Sequence, residues 1–294
     1  MEYFIVDVFC HEKYSSNQLA VVLLDKEIPD TRMQDIASEF HFSETTFILK
    51  YTDNSAGYNV RIFTPAGEVP FAGHPTLGTA YIIGTEMPGK FQGKIDLNLK
   101  AGKIPVTFMG NPDNGILWMR QREPEFGQVY EAGEVAKIIN LGTEEIDMNY
   151  PVQEVSTGLP FMIIPLKTLN SVKKASINMA CYREFFRDAD GRPARPVFIF
   201  CPETYDKGNQ INCRMFADIY GVPEDPATGS ANGCLAGYLV KHGYFKTGGI
   251  DIKVEQGYEI CRKSLLYLKA GVEDGKITVN VGGKVVKIAQ GRLV

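Results

Sequence analysis

Two stretches of this 294-residue chain carry residue types suited to chemistry, and they are versions of one pattern. EVPFAGHPTLGTA begins at Glu68 and EDPATGSANGCLA at Glu224; Glu68/Glu224, Pro70/Pro226 and Gly73/Gly229 match at one common offset. Each copy sets a glycine and then a polar residue, His74 or Ser230, ahead of a segment that reads as a buried helix. N–H groups in a first helical turn have no intrahelical partner and lie at the positive end of the helix dipole. Gly73 and Gly229 therefore mark two anion-binding turns, suited to the carboxylate of a small molecule. His74 and Ser230 have a second reading, as caps of their helices. His74 lies in a Gly-His-Pro turn at a helix start, which favours the neutral imidazole, so it is expected to line a site. Asp225 stands where the first copy has Val69, which points to a role taken on in one half only. Its alternative is a solvated Glu224-Asp225 turn ahead of Pro226.

Glu44 lies in HFSETTFILK, a strand whose alternation puts it on the face of Phe42, Thr46 and Ile48. A carboxylate among apolar neighbours is desolvated, which raises its pKa toward the range for taking and returning a proton. The other reading is a glutamate on an edge-strand face. No G-x-S-x-G, P-loop, H-E-x-x-H or G-x-G-x-x-G occurs, so proton transfer with no cofactor is the chemistry left. The four histidines show no metal-ligand spacing, and no metal is expected. The six cysteines lack C-x-x-C spacing and read as buried, reduced thiols.

The elements that must position these residues also occur twice. An R-x-F element precedes each motif, Arg61 with Phe63 and Arg214 with Phe216. PTLGTAYIIG and ANGCLAGYLV have no polar face and must be buried all round, one helix per half inside β-strands. Pro75 suits a first helical turn, and His242 with Gly243 a C-terminal stop. Met33, Ile36, Ala37 and Phe40 space a surface helix that Asp30 is expected to cap. Val135, Ile138 and Ile139 mark its expected counterpart, closed by Gly142. SNQLAVVLL from Ser16 and GLPFMIIPL from Gly158 both run from a turn into an apolar strand. The crossing between halves falls within about Leu117–Phe126. This predicts an α+β fold of two pseudo-symmetric domains, residues 1–118 and 119–286, with the strand near 287–294 joining the first.

Composition limits the function classes. Hydrophobic residues make up 44% and charged residues 22%, ordinary for a globular chain. No run approaches the roughly 18 apolar residues of a membrane span. A net charge of −4 with scattered Lys and Arg gives no nucleic-acid footprint. MEYFIVDVF reads as a first strand, not a secretory leader, so a cytoplasmic protein is expected.

SNQLAV, SETTF, RIFTPAGEVPFAGHPTLGTA, STGLPF, RMFAD with EDPATGSAN, and VNVGGKVVKIAQGRL span nearly the whole chain. In this order they resemble the phenazine-biosynthesis PhzF-like proteins of the diaminopimelate epimerase-like superfamily. The resemblance implies two similar barrel-like domains, each a curved sheet around a central helix, with the active site in the cleft between them. It implies that Glu44 is the catalytic acid/base, and that Gly73, His74, Asp225, Gly229 and Ser230 surround the substrate. It also implies isomerisation without metal or organic cofactor, and a homodimer. Two-thiol epimerases of the superfamily carry cysteines at positions that here hold Ala72 and Thr228, which argues against that mechanism. Ser16 departs from the family pattern, where many relatives have glycine. The expected function is a cofactor-independent isomerase acting on a small carboxylate-bearing metabolite. The alternatives are a non-catalytic binder of such a carboxylate and a thiol-based amino-acid epimerase.

Overall fold

The structure is a computed structural model that describes residues 1–49, 57–87, 93–111, 114–187 and 194–294. Lys50, the last residue of the expected strand HFSETTFILK, lies outside them. The chain divides into two compact units, Met1–Arg120 with Gly282–Val294, and Gln121–Val281.

The first unit contains β1 (Glu2–Val8), β2 (Asn17–Leu24), α1 (Asp30–Phe40), β3 (Glu44–Leu49), β4 (Tyr58–Thr64) and β5 (Gly67–Val69). It continues with α2 (Gly73–Glu86), β6 (Lys94–Leu99), β7 (Gly102–Met109) and β8 (Ile116–Arg120). β1 pairs antiparallel with β2, β2 parallel with β3, and β3 antiparallel with β4. β4 pairs antiparallel with β5 and parallel with β6, and β6 antiparallel with β7, which joins β8. The sheet curves about α2, which packs on β1, β2, β3, β6, β7 and β8. Gly73 to Ile83 of α2 are all buried, as a helix without a polar face requires. Burying Leu77, Ile82 and Ile83 stabilises the unit by roughly 2 kcal/mol each. β2 is buried along nearly its whole length because α1 covers its outer face, packing Met33, Ile36 and Ala37 on Val22, Leu24 and Phe47.

The second unit contains β9 (Glu125–Tyr130), α3 (Ala132–Ile138), β10 (Val152–Ser156), β11 (Pro160–Pro165), α4 (Leu169–Lys174) and α5 (Met179–Arg187). It continues with β12 (Val197–Cys201), β13 (Ile211–Ala217), β14 (Val222–Asp225), α6 (Gly229–Lys241), β15 (Gly249–Gln256) and β16 (Ser264–Glu273). Its pairings repeat the first unit's in order and sense. β10 with β11 is antiparallel, β11 with β12 parallel, and β12 with β13 antiparallel. β13 pairs antiparallel with β14 and parallel with β15, and β15 antiparallel with β16. Here α6 is the enclosed helix, packing on β10, β11, β15 and β16. β17 (Lys276–Gly283) leads the chain back, and β18 (Val285–Arg292) pairs with the full length of β1 in the first unit, as β9 pairs with β10 in the second.

Several local expectations are corrected. Asp30 does not cap α1: the cap position is Pro29, and Asp30 is the first helical residue, paired with Arg61. Gly142 does not close α3; the chain turns at left-handed Asn140, and Gly142 starts a short 3-10 turn. α3 is not the counterpart of α1. The parallel crossover between β11 and β12 is made by α4 and α5, which the sequence reading missed. Ser16 adopts a left-handed φ of 62°, which explains why glycine suits that position. It is fully buried, and its hydroxyl donates to the Val8 carbonyl.

Candidate active site

In the first unit β3 and α2 bring two of the expected residues together. Glu44 opens β3, which has neighbours on both sides, so it does not lie on an edge strand. His74 is the second residue of α2, and its Nε2 faces Glu44 Oε2 at 3.3 Å. Helix and strand are tied at this point by the buried Thr79 hydroxyl, which donates to Thr46 Oγ1 at 2.8 Å. Burial pushes the His74 imidazole down to about 3, with a hydrogen bond to the Gln18 backbone opposing the shift, so the ring is neutral near pH 7. The neutral form was expected from the helix start; its cause is desolvation.

Upstream, Arg61 forms a fork with Glu68, Nε to Oε1 at 2.8 Å and Nη2 to Oε2 at 2.9 Å, and lies over the Phe63 ring. This ties β4 to β5 just before the turn into α2. Arg214 repeats the fork with Glu224, at 3.0 and 2.7 Å, and lies over Phe216. Its Nη1 also donates to the carbonyls of Val172 and Ala175. Glu224 and Asp225 are therefore part of a buried polar lattice and not a solvated turn.

Asp225 ends β14 and is buried. It accepts a short hydrogen bond on Oδ2 from the Thr228 hydroxyl. Gln256, fully buried on β15, donates from Nε2 to the Asp225 carbonyl at 2.9 Å and accepts the Thr228 N–H at 3.1 Å. Gly229 begins α6, and Ser230 is its half-buried second residue. Neither His74 nor Ser230 is a cap: the cap positions are Ala72 and Thr228, which make no side-chain cap bond. Asn232 Nδ2 donates to the Thr228 carbonyl at 3.0 Å, and the Thr76 hydroxyl donates to the Ala72 carbonyl at 2.7 Å.

Sequence reasoning assigned no role to Thr76, Asn232 or Gln256. Thr76 and Asn232 occupy matching places in the two motifs, a signal that was available; Gln256 lies far along the chain and left none. The cysteines are all free. Cys10, Cys201, Cys213 and Cys234 are buried, but Cys261 is exposed, contrary to expectation. Desolvation pushes the Cys234 thiol up to about 12, which makes it a poor nucleophile. Among the described residues no group of three or more His, Cys, Asp and Glu is placed to hold a metal. No helix among them is long and apolar enough to cross a membrane.

A duplicated α+β unit, each half a sheet about an enclosed helix, defines an epimerase-like fold. The chain belongs to the phenazine biosynthesis-like protein family, whose model matches residues 6–291, and is an isomerase-type enzyme of that family. An uncharacterized isomerase of Mesorhizobium japonicum is 34% identical over 301 residues, covering 99% of this chain and 98% of the relative. The trans-2,3-dihydro-3-hydroxyanthranilate isomerase of Pseudomonas chlororaphis is 32% identical over 296 residues, covering 99% of each. The crystal structure of the PhzF-family phenazine biosynthesis protein of Bacillus anthracis matches with a TM-score of 0.89 at 27% identity, covering 100% of this chain and 99% of that one.

Proposed function

We propose that the protein is a cofactor-independent isomerase that shifts a proton, and with it a double bond, within a small carboxylate-bearing metabolite. The observation that carries this reading is the Glu44–His74 pair, a carboxylate facing an imidazole held neutral by burial. A cationic His would pin Glu44 in an ion pair, whereas a neutral one leaves the carboxylate basic and still offers a hydrogen bond. Glu44 takes a proton from carbon, the C–H electron pair enters the adjacent π system, and Glu44 delivers a proton to another carbon after its carboxyl has had the chance to exchange with solvent. The reaction thus needs no electron acceptor. His74 and Asp225 hydrogen-bond the substrate and steady the developing charge. The first-turn N–H groups at Gly73 and Gly229, with Ser230, are suited to receive its carboxylate.

The thiol-based alternative is disfavoured, because Ala72 and Thr228 occupy the helix starts and Cys234 is buried with a raised pKa. The name of the Pseudomonas chlororaphis relative makes cyclic amino carboxylates the first compounds to test. NMR-detected deuterium uptake from D2O, compared between wild type and Glu44→Gln, tests the reading. Wild type is expected to exchange a carbon-bound proton, and the variant to lose about 10²–10⁴-fold in rate. Exchange that survives the substitution removes Glu44 from the role. Ligand-dependent stabilisation with no exchange in any compound favours the binding-protein reading.

A further inference from the structure

We infer that Gln256 sets the direction of a buried hydrogen-bond chain that points the Thr228 hydroxyl proton at Asp225 Oδ2 and so favours the ionised Asp225 carboxylate. This rests on the reading of Asp225 as a site residue.

Backbone groups fix each amide in the chain, since an N–H only donates and a C=O only accepts. The Thr228 N–H donates to Gln256 Oε1 at 3.1 Å, so the opposite end of that amide is the NH2. Gln256 Nε2 meets the Asp225 carbonyl at 2.9 Å, in agreement. Asn232 Nδ2 donates both to the Thr228 carbonyl at 3.0 Å and to Gln256 Oε1 at 2.9 Å, filling the second lone pair of that oxygen. The remaining Gln256 proton goes to Thr228 Oγ1 at 3.1 Å. Thr228 accepts there, and its single hydroxyl proton points to Asp225 Oδ2. Gln256 and Asn232 are fully buried, so water does not compete for these bonds. A hydroxyl donating to a carboxylate favours the ionised form. Gln256 and Thr228 are therefore positioning residues, acting through Asp225.

Among the described residues, ionisable groups around this network include Cys213, Arg214, Glu224, Glu255 and Glu259. The Cys213 thiol, 3.8 Å from Gln256 Oε1, is neutral, pushed well up by burial. Arg214 pairs with Glu224 at 2.7 Å and lies 3.9 Å from Glu259. The Glu255 carboxylate accepts from the N–H groups of Tyr205 and Asp206 and from the side chains of Asn209 and Asn212. The substitutions below leave all of these in place.

The test is ¹³C NMR titration of aspartate carboxyls in the full-length protein, with Asp225→Asn assigning the Asp225 signal. Thr228→Val, which keeps the shape and removes the hydroxyl, is expected to raise the Asp225 midpoint by about one pH unit. Gln256→Leu is expected to move it the same way, and Thr228→Ser to restore the wild-type midpoint. An unmoved midpoint in Thr228→Val, or a Thr228→Ser midpoint displaced as far as that of valine, overturns the inference. If Gln256→Leu does not fold, the two Thr228 variants decide it. The titration needs no substrate. Undiminished deuterium exchange in Asp225→Asn would sink the site reading of Asp225 and leave the chain's direction standing.

Discussion

His74 shows how burial, more than residue type, sets chemical behaviour. An imidazole with an ordinary value near 6.5 is held at about 3 because its charged form has lost its water. In the unfolded chain the same ring protonates near 6.5, so below that pH the unfolded state binds a proton that the folded state refuses. The stability linked to His74 is therefore complete above about pH 6.5 and is lost as pH falls toward 3. By pH 4.5 wild type should have lost roughly 2–3 kcal/mol more than His74→Gln, each relative to its own stability at pH 7. Urea unfolding of both proteins at the two pH values measures this. Equal losses would mean that the folded protein admits the imidazolium, and the neutral-base reading of the Glu44–His74 pair would fall with it. At this scale the sequence made Glu44 a candidate through strand period and His74 and Asp225 candidates through the duplicated motif, because a charged or hydrogen-bonding residue stands out against its apolar neighbours or its repeat partner. It did not reveal Gln256, whose role depends on a strand that reaches Asp225 only through the fold.

The elements were legible where one physical rule dominates. Two segments without a polar face had to be enclosed helices, and α2 and α6 are enclosed. Helix ends were less legible, because several residues near a terminus have capping chemistry and only backbone geometry chooses among them. Asp30 and Gly142 were credited with terminal roles, and His74 and Ser230 with capping as their second reading; the cap positions are Pro29, Ala72 and Thr228, and α3 closes at Ile139 with left-handed Asn140 after it. α4 and α5 were missed because α3 offered an earlier amphipathic pattern, and periodicity does not say which helix makes a crossover. Enclosure also constrains single positions on α6. A Cβ at Gly237 would lie 2.7 Å from Cβ and 2.8 Å from Cγ of Pro124, a ring that has no rotamer to retreat into. Glycine to alanine inside a helix ordinarily gains up to about 1 kcal/mol, but overpacking of this kind costs about 1–3 kcal/mol. Gly237→Ala should therefore lower stability by about 1–2 kcal/mol, read from denaturant midpoints at unchanged slope. A gain would show that α6 has room to move away from Pro124.

At the scale of the whole molecule the repeated motif is the visible trace of a repeated sheet, the same pairing order in both units. The repetition is uneven in one respect. The strand beside β10 is supplied by β9 from directly upstream, whereas the strand beside β1 is β18, from the far end of the chain. The second unit is thus continuous, Gln121–Val281, and the first is not. Residues 1–120 alone would leave β1 with an unpaired edge along its seven residues, Glu2 to Val8, an apolar edge of the kind that aggregates. The break is narrow: a Cβ at Gly282 would meet the Trp118 ring at 2.6 Å, so the end of β8 and the start of the returning segment lie side by side. A short Gly/Ser linker can span that distance. We expect residues 121–281 to give a dispersed ¹H–¹⁵N spectrum, residues 1–120 to be insoluble or unfolded, and 1–120 linked to 282–294 to regain a dispersed spectrum and cooperative unfolding. A folded 1–120 fragment would show that β18 only covers an edge already stable without it. Failure of the linked fragment alone would show that the first unit needs the second in order to fold.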